Sequence, residues 1–186
     1  MKVLITGAAG FIGSRLGIAL LSNGHEVVGF DNFHEQVHGK NHFKDYPFLM
    51  VEGDIRDSDA LLGLLASHDF SIIYHLAAET GTGQSFDEPT RYSDVNVLGT
   101  TKLFEAIRKT DCKPKKIILA GTRAVYGEGL YVNELGEQEV ACTRNSIAME
   151  NGDFDVYGIN GNKLFPKPTP ETLQPTPDSV YASSKL

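Results

Sequence analysis

The chain has 186 residues, 41% of them hydrophobic, enough to bury one ordinary globular core. Its formal charge of −7 and pI near 5.3 exclude the concentrated basic footprint that a nucleic acid or an anionic membrane surface requires. Two cysteines, Cys112 and Cys142, are too few for a disulfide scaffold or a cysteine-rich metal site and favour a reducing, cytoplasmic setting.

The N-terminal "MKVLITGAAGFIG" has one lysine and then a short apolar run broken by glycines, which fits a buried strand and not a signal peptide. No later run reaches the roughly 18 apolar residues of a membrane span. A small-molecule ligand is the expected partner.

In chain order, "KVLIT" at 2–6, "EVVGF" at 26–30, "FLMVEG" at 48–53, "SIIYHLA" at 71–77 and "KKIILAG" at 115–121 are continuously apolar. That pattern predicts parallel strands buried on both faces. Helical spacing lies between them. Leu16, Ala19 and Leu20 share a face before "SNG", where Gly24 can cap the helix; Leu61, Leu64 and Leu65 repeat the pattern. One longer helix is predicted over about 88–110, with Val95, Leu103, Phe104 and Ile107 on its apolar side. The alternation implies right-handed crossovers and an α/β fold with a doubly wound parallel sheet. After Gly127, residues 128–178 hold most of the prolines and no sustained periodicity, and are read as a long irregular insertion within a single domain covering 1–186.

Chemistry gathers at the strand ends. Gly7, Gly10 and Gly13 lie where the first strand meets the first helix, the place where a backbone without side chains can approach a pyrophosphate at a helix N-terminus. An ordinary tight turn is the plain alternative. Eighteen residues beyond Gly13, Asp31 ends the second strand, where a carboxylate can accept both ribose hydroxyls of an adenosine. No Arg or Lys follows until Lys40, so NAD is favoured over NADP. In "GDIRD", Asp54 and Ile55 would lie beside the adenine, although Asp54 or Asp57 could equally cap the next helix. Tyr181 and Lys185 are four residues apart, one helical turn. An ammonium there would favour the phenolate of a general base, and Thr122, just past the fifth strand, could orient a substrate alcohol. A tyrosine and lysine at this spacing are also common on plain surface helices. The six histidines show no ligand spacing, and His75 at a strand end is read as a packed residue.

The ordered segments "TGAAGFIG", "DN", "GDIRD", "HLAAET", "NVLGT", "TRAVYG" and "YASSK" resemble those of extended short-chain dehydrogenases/reductases, the NAD-dependent epimerase/dehydratase family, and span almost the whole chain. "QVHGK", "HLAAETGTGQS", "RYSDVNVLGT", "GDFDVYG" and "PTPETLQPTPDSVYASSK" are similar to the dTDP-L-rhamnose 4-epimerase group within it. The resemblance implies a Rossmann-type domain whose NAD is held by Gly7, Gly10, Phe11, Ile12, Gly13, Asp31, Asn32, Asp54, Ile55, Leu76, Ala77 and Ala78, with Tyr181 and Lys185. It implies Tyr181 as general base, Lys185 on the nicotinamide ribose, and Thr122 on the sugar 4-hydroxyl. Glu79, Thr80, Thr122 and Arg123 would contact a nucleotide-sugar substrate, while Asn96 in the long helix would be structural or a water ligand.

The implied reaction removes hydride from sugar carbon 4 and returns it to the other face of a transient 4-keto sugar. Arg123 and Ala124 stand where 4,6-dehydratases carry Asp-Glu, which argues against dehydration. Relatives often carry cysteine pairs in the insertion, but this chain has "YGING" at 157–161 and only Cys142 there, so no metal is expected and the insertion must keep its shape by other means. The family also implies a homodimer, through the helix near 88–110 and the one beginning near Val180, and a further C-terminal substrate domain of roughly 100 or more residues. With "YASSKL" little more than one helical turn, the chain is read as the N-terminal part of such an enzyme. Another nucleotide sugar, such as UDP-glucose or a UDP-uronate, and a non-catalytic NAD-binding module are the competing readings.

Overall fold

The computed structural model describes residues 1–39 and 45–186. Lys40, which closes the "QVHGK" segment and the charge argument for NAD, lies outside the described residues. The chain divides into two compact units: Met1–Thr122 with Ser179–Lys185, and Arg123–Asp178 with Leu186.

The first unit opens with β1 (Lys2–Thr6), α1 (Phe11–Ser22), β2 (Glu26–Asp31), the short α2 (Glu35–His38), β3 (Leu49–Glu52), α3 (Ser58–Ser67) and β4 (Ile72–His75). Two short helices follow, α4 (Gln84–Asp87) and α5 (Pro89–Ser93). A π-helical turn over Asp94–Gly99 then leads into α6 (Thr100–Lys109) and β5 (Lys116–Leu119). The five strands are parallel in the order β3-β2-β1-β4-β5, with Val3 paired to both Val27 and Ile72. This is the predicted doubly wound sheet.

Alternate residues of β1 enter opposite cores. Leu4 packs with Phe30, Leu61, Leu65, Phe70, Ile73 and Leu103, whereas Val3 and Ile5 pack with Ala8, Val27 and Phe48. Both faces of the strand are therefore apolar, which is why its sequence does not alternate. Truncating one of the fully buried leucines, isoleucines or phenylalanines among them to alanine costs about 2–5 kcal/mol. Helix α1 stops where "SNG" predicts, with Asn23 at its end and Gly24 left-handed at φ 77°. Asp57 is the cap of α3, accepting from the amides of Asp59 and Ala60.

The single helix expected over 88–110 is instead broken into α5, the π turn and α6. The wider turn brings Val95, Asn96 and Gly99 inward together. Gly99 meets Ile55 so closely that a β-carbon there would come within 2.6 Å of its Cγ2. Phe104, assigned to the apolar side, is 42% exposed.

The second unit corrects the reading of an irregular insertion. It holds β6 (Tyr131–Val132), β7 (Gln138–Glu139), α7 (Ser146–Glu150), β8 (Val156–Tyr157) and β9 (Lys163–Pro166), paired antiparallel in the order β7-β6-β9-β8 around Tyr131, Val156 and Leu164. Most of these strands are two residues long, too short for a period of two to be visible in sequence. Side chains hold them. The Glu139 carboxylate accepts from Asn133 at 2.8 Å and from Asn162 at 3.0 Å, Lys163 pairs with Asp155, and the "YGING" stretch closes through Gly158 N–H to the Asn162 carbonyl at 2.9 Å. Among the described residues no three His, Cys, Asp or Glu side chains are grouped to hold a metal.

The chain then returns to the first unit in α8 (Val180–Ser184), whose N-terminus Ser179 caps by accepting from the Ala182 amide at 3.1 Å. Among the described residues no helix is long and apolar enough to cross a membrane.

Candidate active site

The carboxyl ends of β1, β2 and β4 open onto a cavity of about 520 Å³. The turn after β1 forms its floor. Gly7 sits at φ 70°, and a β-carbon there would come within 2.7 Å of the Ala77 backbone nitrogen. A β-carbon at Gly13 would meet the Gly7 carbonyl at 2.3 Å. Both glycines are therefore demanded by the fold of the turn. Gly10 is different: at φ −68° any residue is allowed, and its nearest internal neighbour would be 3.3 Å away. It lines the cavity, so a side chain there would take up the space in front of α1. That helix has no side-chain cap and no acidic residue in its first turn, leaving its positive end to face an anion. A dinucleotide diphosphate fits this cradle. Phe11 and Ile12 also line it.

At the β2 side, Asp31 is 7% exposed; one carboxylate oxygen accepts from Ala9 N–H and the other from Phe33 N–H, each at 2.9 Å. The carboxylate thus braces the glycine turn while lining the cavity. His38 lies 3.6 Å from it. Asn32 also lines the cavity but donates its amide to Asp54 at 3.0 Å. Asp54 is turned to protein partners: Arg56 grips both of its oxygens at 2.9 Å and bridges to Asp94 at 3.1 Å. The hydrogen bonds from Arg56 hold the Asp54 carboxyl well below the usual carboxylate range, against the opposing effect of burial. Gly53 and Ile55 line the cavity where Asp54 does not.

At the β4 side, Leu76, Ala77, Ala78, Glu79 and Thr80 form the wall. Glu79 is clamped through its carboxylate by Arg91 at 2.8 Å, and through its backbone by Asn96, which accepts from its N–H at 2.8 Å and donates to its carbonyl at 3.1 Å. Tyr92 donates to the Thr80 carbonyl at 2.8 Å, and its ring meets that of Tyr181 edge-on at 6.2 Å. His75 is 3% exposed and lies between Thr6 Oγ1 at 2.7 Å and Thr100 Oγ1 at 2.9 Å. Burial, and secondarily the Lys185 ammonium, pushes its pKa down to about 4.

Tyr181 and Lys185 both line the cavity, and burial lowers the Lys185 pKa. Ala120 and Gly121 also line it, but Thr122 does not; Thr122 ends the first unit and Arg123 begins the second. Residues given no site role from the sequence also line it, among them His34, Gln36, Val37, His38 and Gln84. Gln36, Val37 and His38 do sit in "QVHGK" and Gln84 in "HLAAETGTGQS", the segments that carry the more specific resemblance.

A glycine turn at a helix N-terminus, a carboxylate on the neighbouring strand and a tyrosine–lysine helix over one cavity define a Rossmann-type domain of the extended short-chain dehydrogenase/reductase class. The comparisons place it further: residues 4–145 match the GDP-mannose 4,6 dehydratase family, and the chain belongs to that family. A dTDP-L-rhamnose 4-epimerase of Burkholderia thailandensis is 38% identical over 191 residues, covering 100% of this chain and 51% of that protein. The UDP-glucose 4-epimerase of Thermus thermophilus, solved with NAD, is 28% identical with a TM-score of 0.70 over 100% of this chain and 47% of its own. That of Thermotoga maritima, solved with UDP-glucose, is 28% identical with a TM-score of 0.71, covering 100% and 48%. The chain spans about half the length of these relatives.

Proposed function

We propose that the chain is the cofactor-binding part of an NAD-dependent nucleotide-sugar 4-epimerase of the dTDP-L-rhamnose type. The observation that carries this reading is that Tyr181 and Lys185 line the same cavity as the Gly7–Gly13 turn and Asp31. Gly10 and the amides of the first turn of α1 would take the diphosphate, Asp31 a ribose, and Ile55 the adenine edge. Bound NAD would supply hydride acceptance from sugar carbon 4 and its return to the opposite face.

Tyr181 would remove the proton from the sugar 4-hydroxyl and give it back, with Lys185 as the neighbouring cation that favours the phenolate. Thr122 would hydrogen-bond that hydroxyl, and Glu79, Thr80 and Arg123 would contact the sugar nucleotide. Arg123 and Ala124 leave no acid–base pair after Thr122 for eliminating water, which separates this reading from the dehydratase named by the family. Self-association to a homodimer through the segment 88–110 and α8 belongs to the same reading. UDP-glucose is the second candidate substrate, favoured by the likeness to UDP-glucose 4-epimerases.

The test uses a form spanning the full length of the relatives, incubated with NAD and each nucleotide sugar in turn, with the 4-epimer followed by proton NMR. Turnover of dTDP-L-rhamnose that is lost in Tyr181→Phe is the expected result. NAD binding without turnover of any sugar, unchanged in Tyr181→Phe, would leave a binding module instead.

A further inference from the structure

Two glutamines join opposite walls of the cavity. Gln36 lies in α2, which follows β2; Gln84 begins α4, in the segment that follows β4; and β2 and β4 flank β1 in the sheet. Both side chains line the cavity, and their amides exchange hydrogen bonds, Gln36 Nε2 to Gln84 Oε1 at 2.9 Å and Gln84 Nε2 to Gln36 Oε1 at 3.3 Å.

Each is anchored behind. Gln84 donates to Glu88 at 2.8 Å, and Gln36 accepts from Arg91 at 3.3 Å; Arg91 in turn is fixed by Glu79 and Glu88. Arg91 also reaches His34, the cap of α2, at 3.4 Å. On its own backbone α2 is only four residues long, and it lies between two left-handed residues, Phe33 at φ 50° and Gly39 at φ 69°.

The geometry points to a clasp: the Gln36–Gln84 pair closes the cavity over the diphosphate of the bound dinucleotide and sets the rate at which the cofactor enters and leaves. The inference rests on the reading of the cavity as an NAD site. A dinucleotide with its adenosine at the β2 end and its nicotinamide at the β4 end must cross the carboxyl end of β1. The paired amides link the two segments on either side of that crossing. Because the bonds are made between protein atoms alone, they must part for entry as well as for exit. Gln36 and Gln84 are thus positioning residues, and they differ from direct ligands in their kinetic signature.

The test is stopped-flow measurement of NAD association and dissociation on the protein, compared with Gln36→Ala, Gln84→Ala and the double variant. The expected result is that both rate constants rise together by about fivefold, the factor one net hydrogen bond represents. Kd should stay within about twofold, and the double variant should be no faster than either single one, because both remove the same link. Either single variant suffices if the other does not fold. A rise in dissociation alone would make the glutamines direct cofactor contacts and overturn the clasp, as would unchanged rates with NAD still bound. Failure of the unaltered protein to bind NAD would overturn the NAD reading and the clasp with it.

Discussion

Asn96 and Ser184 meet side chain to side chain at 2.8 Å, Asn96 donating. Asn96 sits in the π turn and is 5% exposed, while Ser184 closes α8 and donates in turn to the Tyr181 carbonyl at 2.8 Å. With its two bonds to Glu79, the same carboxamide ties the β4 wall of the cavity to the helix carrying Tyr181 and Lys185. Replacing Asn96 by Ala removes three hydrogen bonds and leaves buried groups unpaired, which is expected to cost about 2–3 kcal/mol. Urea unfolding of the variant measures that loss. A deficit under 0.5 kcal/mol, roughly the effect of an ordinary surface change, would show that the carboxamide is not a structural tie.

His75 gives the protein a pH-dependent stability with a definite sign. Its folded pKa of about 4 lies below the unfolded value of about 6.5. Between these values the unfolded chain binds more protons, so stability falls as pH drops through that window and is fully restored above it. The whole shift corresponds to about 3 kcal/mol. Chemical denaturation at pH 7 and pH 4.5 should show most of this loss in the unaltered protein and a flatter dependence in His75→Gln.

The glycines of the turn should separate folding from binding. Gly13→Ala drives a β-carbon against the Gly7 carbonyl and is expected to lower thermal stability and abolish NAD binding together. Gly10→Ala meets no internal clash below 3.3 Å, so it should keep its melting temperature within a few degrees and still lose NAD affinity by about tenfold or more, since the added methyl fills the diphosphate cradle. Calorimetric titration with NAD, alongside thermal melts, distinguishes the two.

Asp54 should matter more for the fold than for the cofactor. Both of its oxygens are committed to Arg56, and its folded pKa is depressed. Its contribution is therefore present above the unfolded value of about 3.9 and is lost as pH falls below it. Asp54→Asn is expected to cost about 1 kcal/mol, a modest figure because the pair is partly open to solvent. NAD affinity should change by less than about twofold. A large loss of affinity at full stability would instead give Asp54 a direct role at the adenine.

Much of this was readable from residue order. The five strands announced themselves because two-sided burial leaves no polar position within them, and Gly7, Gly13 and Asp31 stand where a strand-to-helix turn must be tight or braced. The π turn was not readable: one extra residue per turn does not disturb a pattern as sparse as Val95, Leu103 and Ile107, and only the neighbouring Asn96 and Gly99 hint at it. The sheet of the second unit was hidden because two-residue strands have no period. The bond between Gln36 and Gln84 joins residues 48 apart in sequence, a pairing that exists only once the sheet has assembled. Tyr181 and Lys185 were readable as a pair, yet their presence in the cavity depends on tertiary packing of a short helix. Thr122, read as their partner, lies outside the cavity lining.

The position of α8 in the chain has a consequence for folding order. Its residues reach α4, α5 and the π turn only after the whole of Arg123–Asp178 has been synthesised, and its contacts with Tyr92 and Asn96 span nearly half of the sequence. Closing so long a loop is entropically costly, whereas β1, α1 and β2 are neighbours in sequence. The element carrying Tyr181 and Lys185 is thus expected to dock after β1, α1 and β2. Its amides should exchange with solvent deuterium before those of β1.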